Sequence, residues 1–489
     1  MTAATPDVLI VGAGSAGLFC ALGLASSASV TLVEAGPDAG TPPPHWMLYD
    51  YLLPAECYYQ YADADTGLAL PQGRGTGGGS TVNSAAALRG QPWCYDGWGV
   101  PGWSWQDCLD GFRAIESDQQ FGAAGYHGAA GPIPITRLTP GPLDEALIKL
   151  CAERGYPAVA DHNAPGVLGV GVWPTNRRDE GRWGTHAGVL PLVRDAVDVR
   201  AGTQVQRLVF DGSRCVGADV LGPHGPERLR AGHVVLCAGA FGTPLLLMRS
   251  GIGPEADLRQ AGIELVSPLD GVGANLQDHP WCLLDVTAAE LADIEARPVS
   301  GALLRYELPG EPASEHVEAE IFPWQTRPYD PSVPAAQVCY TAALMTPLSR
   351  GRLTLGPDGP VIRARHLADD RDAARMAEIV TTTAQLVDEL AAAGLVQVPD
   401  DAWWRAADLV QACRRVVGTY NHHSGTCRMG DPADPGTVVG PGLGVLGTTG
   451  LSVADSSILP VIPRANTNLA AMMIGHRAAA LVSAAAPTS

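Results

Sequence analysis

Residues 8 to 17 read VLIVGAGSAG, and the next apolar run, residues 29 to 33, closes on Glu34. VLIV contains no polar residue, as expected of a strand buried on both faces. The glycine spacing after it assigns three tasks. Gly12 permits the tight turn, Gly14 lets the backbone approach a pyrophosphate, and Gly17 lets the following helix pack closely on the strand. That helix begins at Ser15 and Ala16, where unpaired N–H groups point at phosphate oxygens. Glu34, followed by Ala35, stands about 20 residues on, where a carboxylate takes the hydroxyls of an adenosine ribose. Strand, glycine turn, helix and acid in register predict a dinucleotide-binding unit. They do not separate FAD from NAD.

The chain has 489 residues, 46% of them hydrophobic, enough for a large core and more than one domain. Its net charge of −19 argues against nucleic acid or an anionic membrane as partner. Eleven cysteines are scattered with no CxxC pair and no metal-ligand spacing, so reduced thiols in a cytoplasmic protein are expected and no metal site. Met1 to Pro6 carries no basic leader. The longest apolar stretch, Val234 to Met248, is broken by Gly239, Gly242 and Pro244, which excludes a continuous membrane span there.

Further along, Leu109, Phe112 and Ile115 at helical spacing after Ser104 predict a capped helix. Residues 197 to 221 alternate as strands, and His233 to Cys237 is another buried strand. Several short strand-like runs follow between 301 and 355, among them Val338 to Thr341 and Gly351 to Leu355. Residues 370 to 395 read as a long helix, and Asn468 to Ala485 as a last helix with small residues on one side. The expected architecture is α/β: a nucleotide-binding domain, a β-rich middle section, and a return to the first domain.

Five further segments carry chemistry: GRGTGGGSTVN at 73–83 with ALRG at 87–90, GAFGTPLLLMRSGIGP at 239–254, GANLQDH at 273–279, NHHSGTCRMG at 421–430, and GLSVADSSILPVIPRANTN at 450–468. So many glycines beside small hydroxyl residues suit a backbone pressed against a large flat ligand. In these segments, and in their order over nearly the whole length, the chain resembles the glucose–methanol–choline (GMC) family of flavin oxidoreductases. The resemblance implies a discontinuous Rossmann-like FAD-binding domain, 1–280 plus 440–489, and a substrate-binding domain of β-sheet plus helices, 281–439. It implies FAD rather than NAD, a small-molecule alcohol as substrate, and O2 or another electron acceptor.

Carried over by position, the family's catalytic histidine, three residues before the glycine of GTC, is His422. Its second polar residue is Asn466. Asp455, Ser456 and Thr467 match the late FAD-contacting segment, and Val205 the strand whose backbone meets adenine. Arg74, Gly78, Ser80 and Asn83 match the loop along the cofactor. Some members attach FAD through a histidine just before that asparagine. Here Val82 stands there, so FAD is expected to be non-covalent. The implied chemistry is removal of the hydroxyl proton by neutral His422, a hydrogen bond from Asn466 to the developing alkoxide, and hydride transfer to flavin N5.

Other side chains read more plainly. His423 is expected as a pocket wall, and His127 and His279 as structural. Trp93, Trp98, Trp103 and Trp105 read as core, whereas Phe322, Trp324, Trp403 and Trp404 are candidates for the substrate cavity. Two alternatives stay open: a carrier-alcohol dehydrogenase feeding a respiratory acceptor, as in mycofactocin-linked actinobacterial members, which the WGVPGWSW and YHGAAGPIPI stretches resemble; and a non-redox FAD-containing lyase.

Overall fold

The computed structural model describes residues 5–49, 53–179, 181–288, 301–325, 337–357 and 359–485. Met1 to Ala4, the start of the segment read for a leader, lie outside them. Five strands form a parallel sheet: β1 (Val8–Val11), β2 (Val30–Val33), β3 (Asp198–Arg200), β4 (His233–Leu236) and β5 (Leu451–Val453). Their order is β3-β2-β1-β4-β5. β1 is paired on both sides, Val8 lying opposite Val30 and His233, and all four of its side chains are buried, as VLIV required. The strand order reverses between β1 and β4. The turns leaving those two strands open the crevice in which such sheets bind ligands.

Helix α1 (Ser15–Leu24) follows β1, α2 (Gly239–Arg249) follows β4, and α3 (Thr467–Ala485) ends the described chain. The small residues of α3 have a purpose. A Cβ on Gly475 would lie 2.0 Å from the carbonyl oxygen of Ala16, and one on Gly23 2.5 Å from Cβ of Ala479. The α1 and α3 backbones therefore nearly touch, and Ser15 Oγ donates to Asn468 Oδ1 at 2.8 Å. The predicted helix near 104 runs Trp105–Ile115, with a capping box between Ser104 and Asp107. Trp98, Trp103 and Trp105 are buried in the first core, as read.

The β-rich section is an eight-stranded sheet. Its centre is antiparallel: Pro280–Ala288, Gln337–Leu344, Glu318–Gln325 and Ala302–Glu307 in spatial order, extended by Gly169–Val172 and Ala158–Val159. The long helix spans Asp370–Ala392. Asp369 caps it by accepting from the Arg371 amide, and Met376, Ile379, Val380, Leu386, Val387 and Leu390 are buried on one stripe. Three excursions cross the expected division, one of them Cys427, Met429, Val438 and Val439, which pack in the first core although they precede residue 440. Leu147, Cys151 and Val170 lie in the second core, because their segment adds strands to the second sheet. Leu353 and Ile362, from the hairpin Arg352–Gly356 and Gly359–Arg363, pack in the first core.

All eleven cysteines are buried free thiols. Among the described residues, no helix is long and apolar enough to cross a membrane, and no group of His, Cys, Asp or Glu is arranged to hold a metal.

Candidate active site

A cavity of about 830 Å³ lies between the two sheets and is lined from both. Its nucleotide wall is largely backbone. Gly12 has φ +104°, and a Cβ there would meet the Cys237 carbonyl at 2.4 Å, so β1 and β4 can be adjacent only with glycine at this turn. Gly78 has φ +50°, and its Cβ would stand 2.8 Å from Cα of Gly14. The two glycine loops thus touch, leaving backbone N–H groups and open space where a pyrophosphate would need them. Glu34 is buried at this end. Its Oε2 accepts from the Ala13 amide at 3.0 Å, and its Oε1 from Gly36 and Gly75 at 2.8 and 3.1 Å. A carboxylate has about four acceptor sites, so it still has capacity for a ribose hydroxyl. The Thr203 amide donates to the Glu34 carbonyl at 2.8 Å, which sets Val205 beside it.

Of the cofactor residues expected from the sequence, Gly12, Gly14, Ser15, Ala16, Glu34, Ala35, Gly78, Asn83, Val205, Asp455, Ser456 and Thr467 line this cavity. Gly17, Arg74 and Ser80 stand behind it. A Cβ on Gly17 would sit 1.9 Å from the Gly12 carbonyl, so its role is helix packing. Arg74 donates to the carbonyls of Ala35 and Glu56, and Ser80 Oγ donates to the Gly77 carbonyl. Asp455 Oδ2 accepts from the Gly239 amide and Thr243 Oγ1, at 2.8 and 2.6 Å, and so fixes the start of α2. Burial raises its pKa despite these bonds. Val82 also lines the cavity.

The far end is built by pairing two of the sequence motifs. Gln277 and Ser424 exchange both backbone hydrogen bonds, at 3.0 and 2.9 Å. This antiparallel pairing places His279, two residues after Gln277, opposite His422, two before Ser424. Their Nδ1 atoms are 2.9 Å apart. Beyond Asn421, at φ +60°, pairing resumes with Pro280 opposite Thr419 and Trp281 opposite Gly418. The other nitrogen of His422, Nε2, lies 3.1 Å from Asn466 Nδ2. Both side chains are buried and both line the cavity. Burial lowers the His422 imidazole to about 4, so it is neutral at ordinary pH.

Asp278 anchors this group. Its Oδ1 accepts from the His422 amide at 2.7 Å, and its Oδ2 from Thr419 Oγ1 and His366 Nε2 at 2.5 and 2.9 Å. Burial works against its charge, yet His423, His366 and Thr419 hold its carboxyl well below the usual range. His423 lines the cavity, as expected, with Nδ1 3.0 Å from Gln72 Nε2. Trp281, Phe322, Trp324 and Tyr420 form the aromatic wall, Tyr420 stacking on His422 at 4.2 Å. The expectation for Trp403 and Trp404 is corrected. Trp403 donates to the Leu283 carbonyl, Trp404 is buried in the second core, and neither reaches the cavity.

Sequence reasoning missed His279, Asp278, Trp281 and Tyr420 as neighbours of the site. The signal for the first two was there, since NLQDH and HHSGTC are the segments that pair. His127 is indeed structural, bound between Glu116 and Asp161 at 2.6 and 2.9 Å.

Similarity to known proteins agrees with this geometry. Family models for the N- and C-terminal parts of GMC oxidoreductases match residues 6–281 and 347–475. The chain belongs to the GMC oxidoreductase family. It is 33% identical to a GMC-type oxidoreductase of the thcA 5′ region of Rhodococcus erythropolis, over 97% of this chain and 98% of that one. It is 31% identical to human mitochondrial choline dehydrogenase, over 97% and 89%. Among solved structures, pyridoxine 4-oxidase from Mesorbium loti superposes with a TM-score of 0.83 at 28% identity, over 97% and 98%. This GMC protein is an FAD-dependent oxidoreductase acting on alcohols, and the residues of the nucleotide wall fit that cofactor.

Proposed function

We propose that this GMC protein oxidises an alcohol CH–OH group to the carbonyl, with His422 as the base and Asn466 as the hydrogen-bond donor to the alcohol oxygen. The observation that carries this is the 3.1 Å approach of Asn466 Nδ2 to His422 Nε2 in the wall of a cavity that also holds both glycine loops. A neutral imidazole kept dry is a competent acceptor for a hydroxyl proton. Asn466 sets the tautomer. Its amide N–H can only donate, so the neutral His422 ring has its lone pair on Nε2 and its proton on Nδ1, which donates to His279 Nδ1. The Asn466 amide then meets the oxygen as negative charge grows on it. FAD supplies the hydride acceptor when bound, held without a covalent bond, because the isopropyl group of Val82 offers no nucleophile.

The division of labour follows the two sheets. The first sheet, with both glycine loops and α3, forms the cofactor unit. The second sheet, with the long helix and the segment 142–172, forms the substrate unit. The decisive experiment mixes flavin-loaded protein anaerobically with a panel of primary alcohols and follows loss of flavin absorbance. Bleaching by at least one alcohol, lost in His422→Ala and kept in His423→Ala, is expected. Retention of full bleaching in His422→Ala overturns the assignment of the base.

A further inference from the structure

Behind the aromatic wall the second sheet buries two carboxylates against one guanidinium. Glu318 and Glu320 are two residues apart on one strand and so share a face, and Arg305 lies directly opposite Glu320. All three are at most 1% exposed. The guanidinium serves them unequally. Its Nη2 donates to Glu318 Oε2 at 3.2 Å and to the Arg464 carbonyl at 2.9 Å, and its Nη1 to the His162 carbonyl at 3.2 Å. Glu318 also accepts from Trp93 Nε1 at 2.7 Å, with Arg464 Nη1 3.9 Å away. Among the described residues, Glu320 Oε1 has Arg305 Nε at 3.6 Å and no hydrogen-bond donor. Its Oε2 faces Tyr420 Oη at 3.4 Å.

Tyr420 connects this carboxylate to the site. Its ring stacks on His422 and it lines the cavity. We propose that Glu320 is a positioning residue that, in its ionised form, holds the Tyr420 hydroxyl proton and so stabilises the imidazolium formed when His422 takes the substrate proton. The inference rests on the assignment of His422 made above. Two effects act together. The carboxylate adds buried negative charge near a cation that burial disfavours. The phenol, donating to a carboxylate, presents a more electron-rich face to the stacked imidazolium. No proton leaves this pair, since Tyr420 keeps its own and only the direction of its O–H is set.

The group titrates where it matters. Burial, relieved in part by Arg305 and reinforced by Glu318, pushes Glu320 up to about 7. The charged and titratable groups that face it are Glu318 on its own strand, Arg305 on one neighbouring strand and Tyr420 from the loop. Ala343, opposite it on the other neighbouring strand, is apolar. Asp278, the other carboxylate near His422, stays ionised throughout this range and contributes no step there.

The test is the pH dependence of anaerobic flavin reduction in wild type, Glu320→Gln and Tyr420→Phe. Wild type is expected to gain about tenfold in rate as pH rises through about 7. In both variants the rise with pH is lost, and in Glu320→Gln, whose side chain lies outside the cavity, KM for the alcohol changes less than about twofold. A step that persists in either folded variant, or a loss that falls on KM instead, overturns the proposal. Infrared spectra give a readout independent of turnover. A buried protonated carboxyl band at about pH 5.5, gone by about pH 8.5 and missing in Glu320→Gln, is expected, and its absence from wild type overturns the proposal. If Glu320→Gln does not fold, Tyr420→Phe and the wild-type spectrum decide. Failure of the underlying assignment shows separately, as unimpaired reduction in His422→Ala.

Discussion

The two walls of the cavity obey different rules. The nucleotide wall is backbone against backbone, with Gly12 against Cys237, Gly17 against Gly12 and Gly78 against Gly14. The opposite wall is side chains, with Trp281, Phe322, Trp324 and Tyr420 raised on the second sheet and its flanking loop. A backbone wall has a single solution, because any Cβ collides with something that cannot move. An aromatic wall can be recut one ring at a time without disturbing the sheet beneath it. The first fixes what cofactor is held, and the second is free to decide which alcohol is accepted.

That contrast can be broken most directly at Gly78. Gly78→Val adds a branched side chain at φ +50° into the Gly14 backbone, and the purified protein is expected to carry less than about a tenth of the wild-type flavin, read by absorbance. Retained flavin would mean the loops can part. His422→Ala is expected to keep its flavin and lose roughly 10²–10⁴ in the rate of anaerobic reduction. Asn466→Ala should lose roughly 10²–10³ in the same rate, because one donor to the developing charge is gone. Trp281→Ala tests the aromatic wall. Flavin content should stay at the wild-type level, while KM for a bulky alcohol changes by about tenfold relative to a small one. Equal changes for all alcohols would remove the wall from substrate choice.

The smallest expected effect is thermal. Burial depresses His422 and His233 to about 4 and His162 to about 3. Below their unfolded value of about 6.5 the unfolded chain binds more protons than the folded one, so stability falls as pH drops from about 6.5 toward 4. Scanning fluorimetry should show the melting temperature decreasing by several degrees across that window and levelling above it.

The same contrast explains what the sequence disclosed. Gly12, Gly14, Gly17 and Glu34 were legible because each obeys a local rule that acts within one turn or one strand–helix unit. The final helix was legible from its spacing, and even its small residues had a partner in α1. The aromatic wall was half legible. Phe322 and Trp324 alternate on one strand with the buried Ile321 and Pro323, but which rings face the cavity depends on how distant strands register. Trp403 and Trp404 look equally apt in sequence and end up beneath the sheet edge. His279 was read as structural, but its partner stayed hidden for the same reason. Alone it is one histidine after a loop motif, and only the Gln277–Ser424 pairing sets it against His422.

The contact between α1 and α3 has a consequence for how the protein matures. The crevice opened by the first thirty-odd residues is not closed until the segment 451–485 has left the ribosome and docked, with Gly475 seated on Ala16 and Asn468 tied to Ser15. A nascent chain therefore has no finished pocket to offer before that docking, and cofactor loading waits for α3 to meet α1.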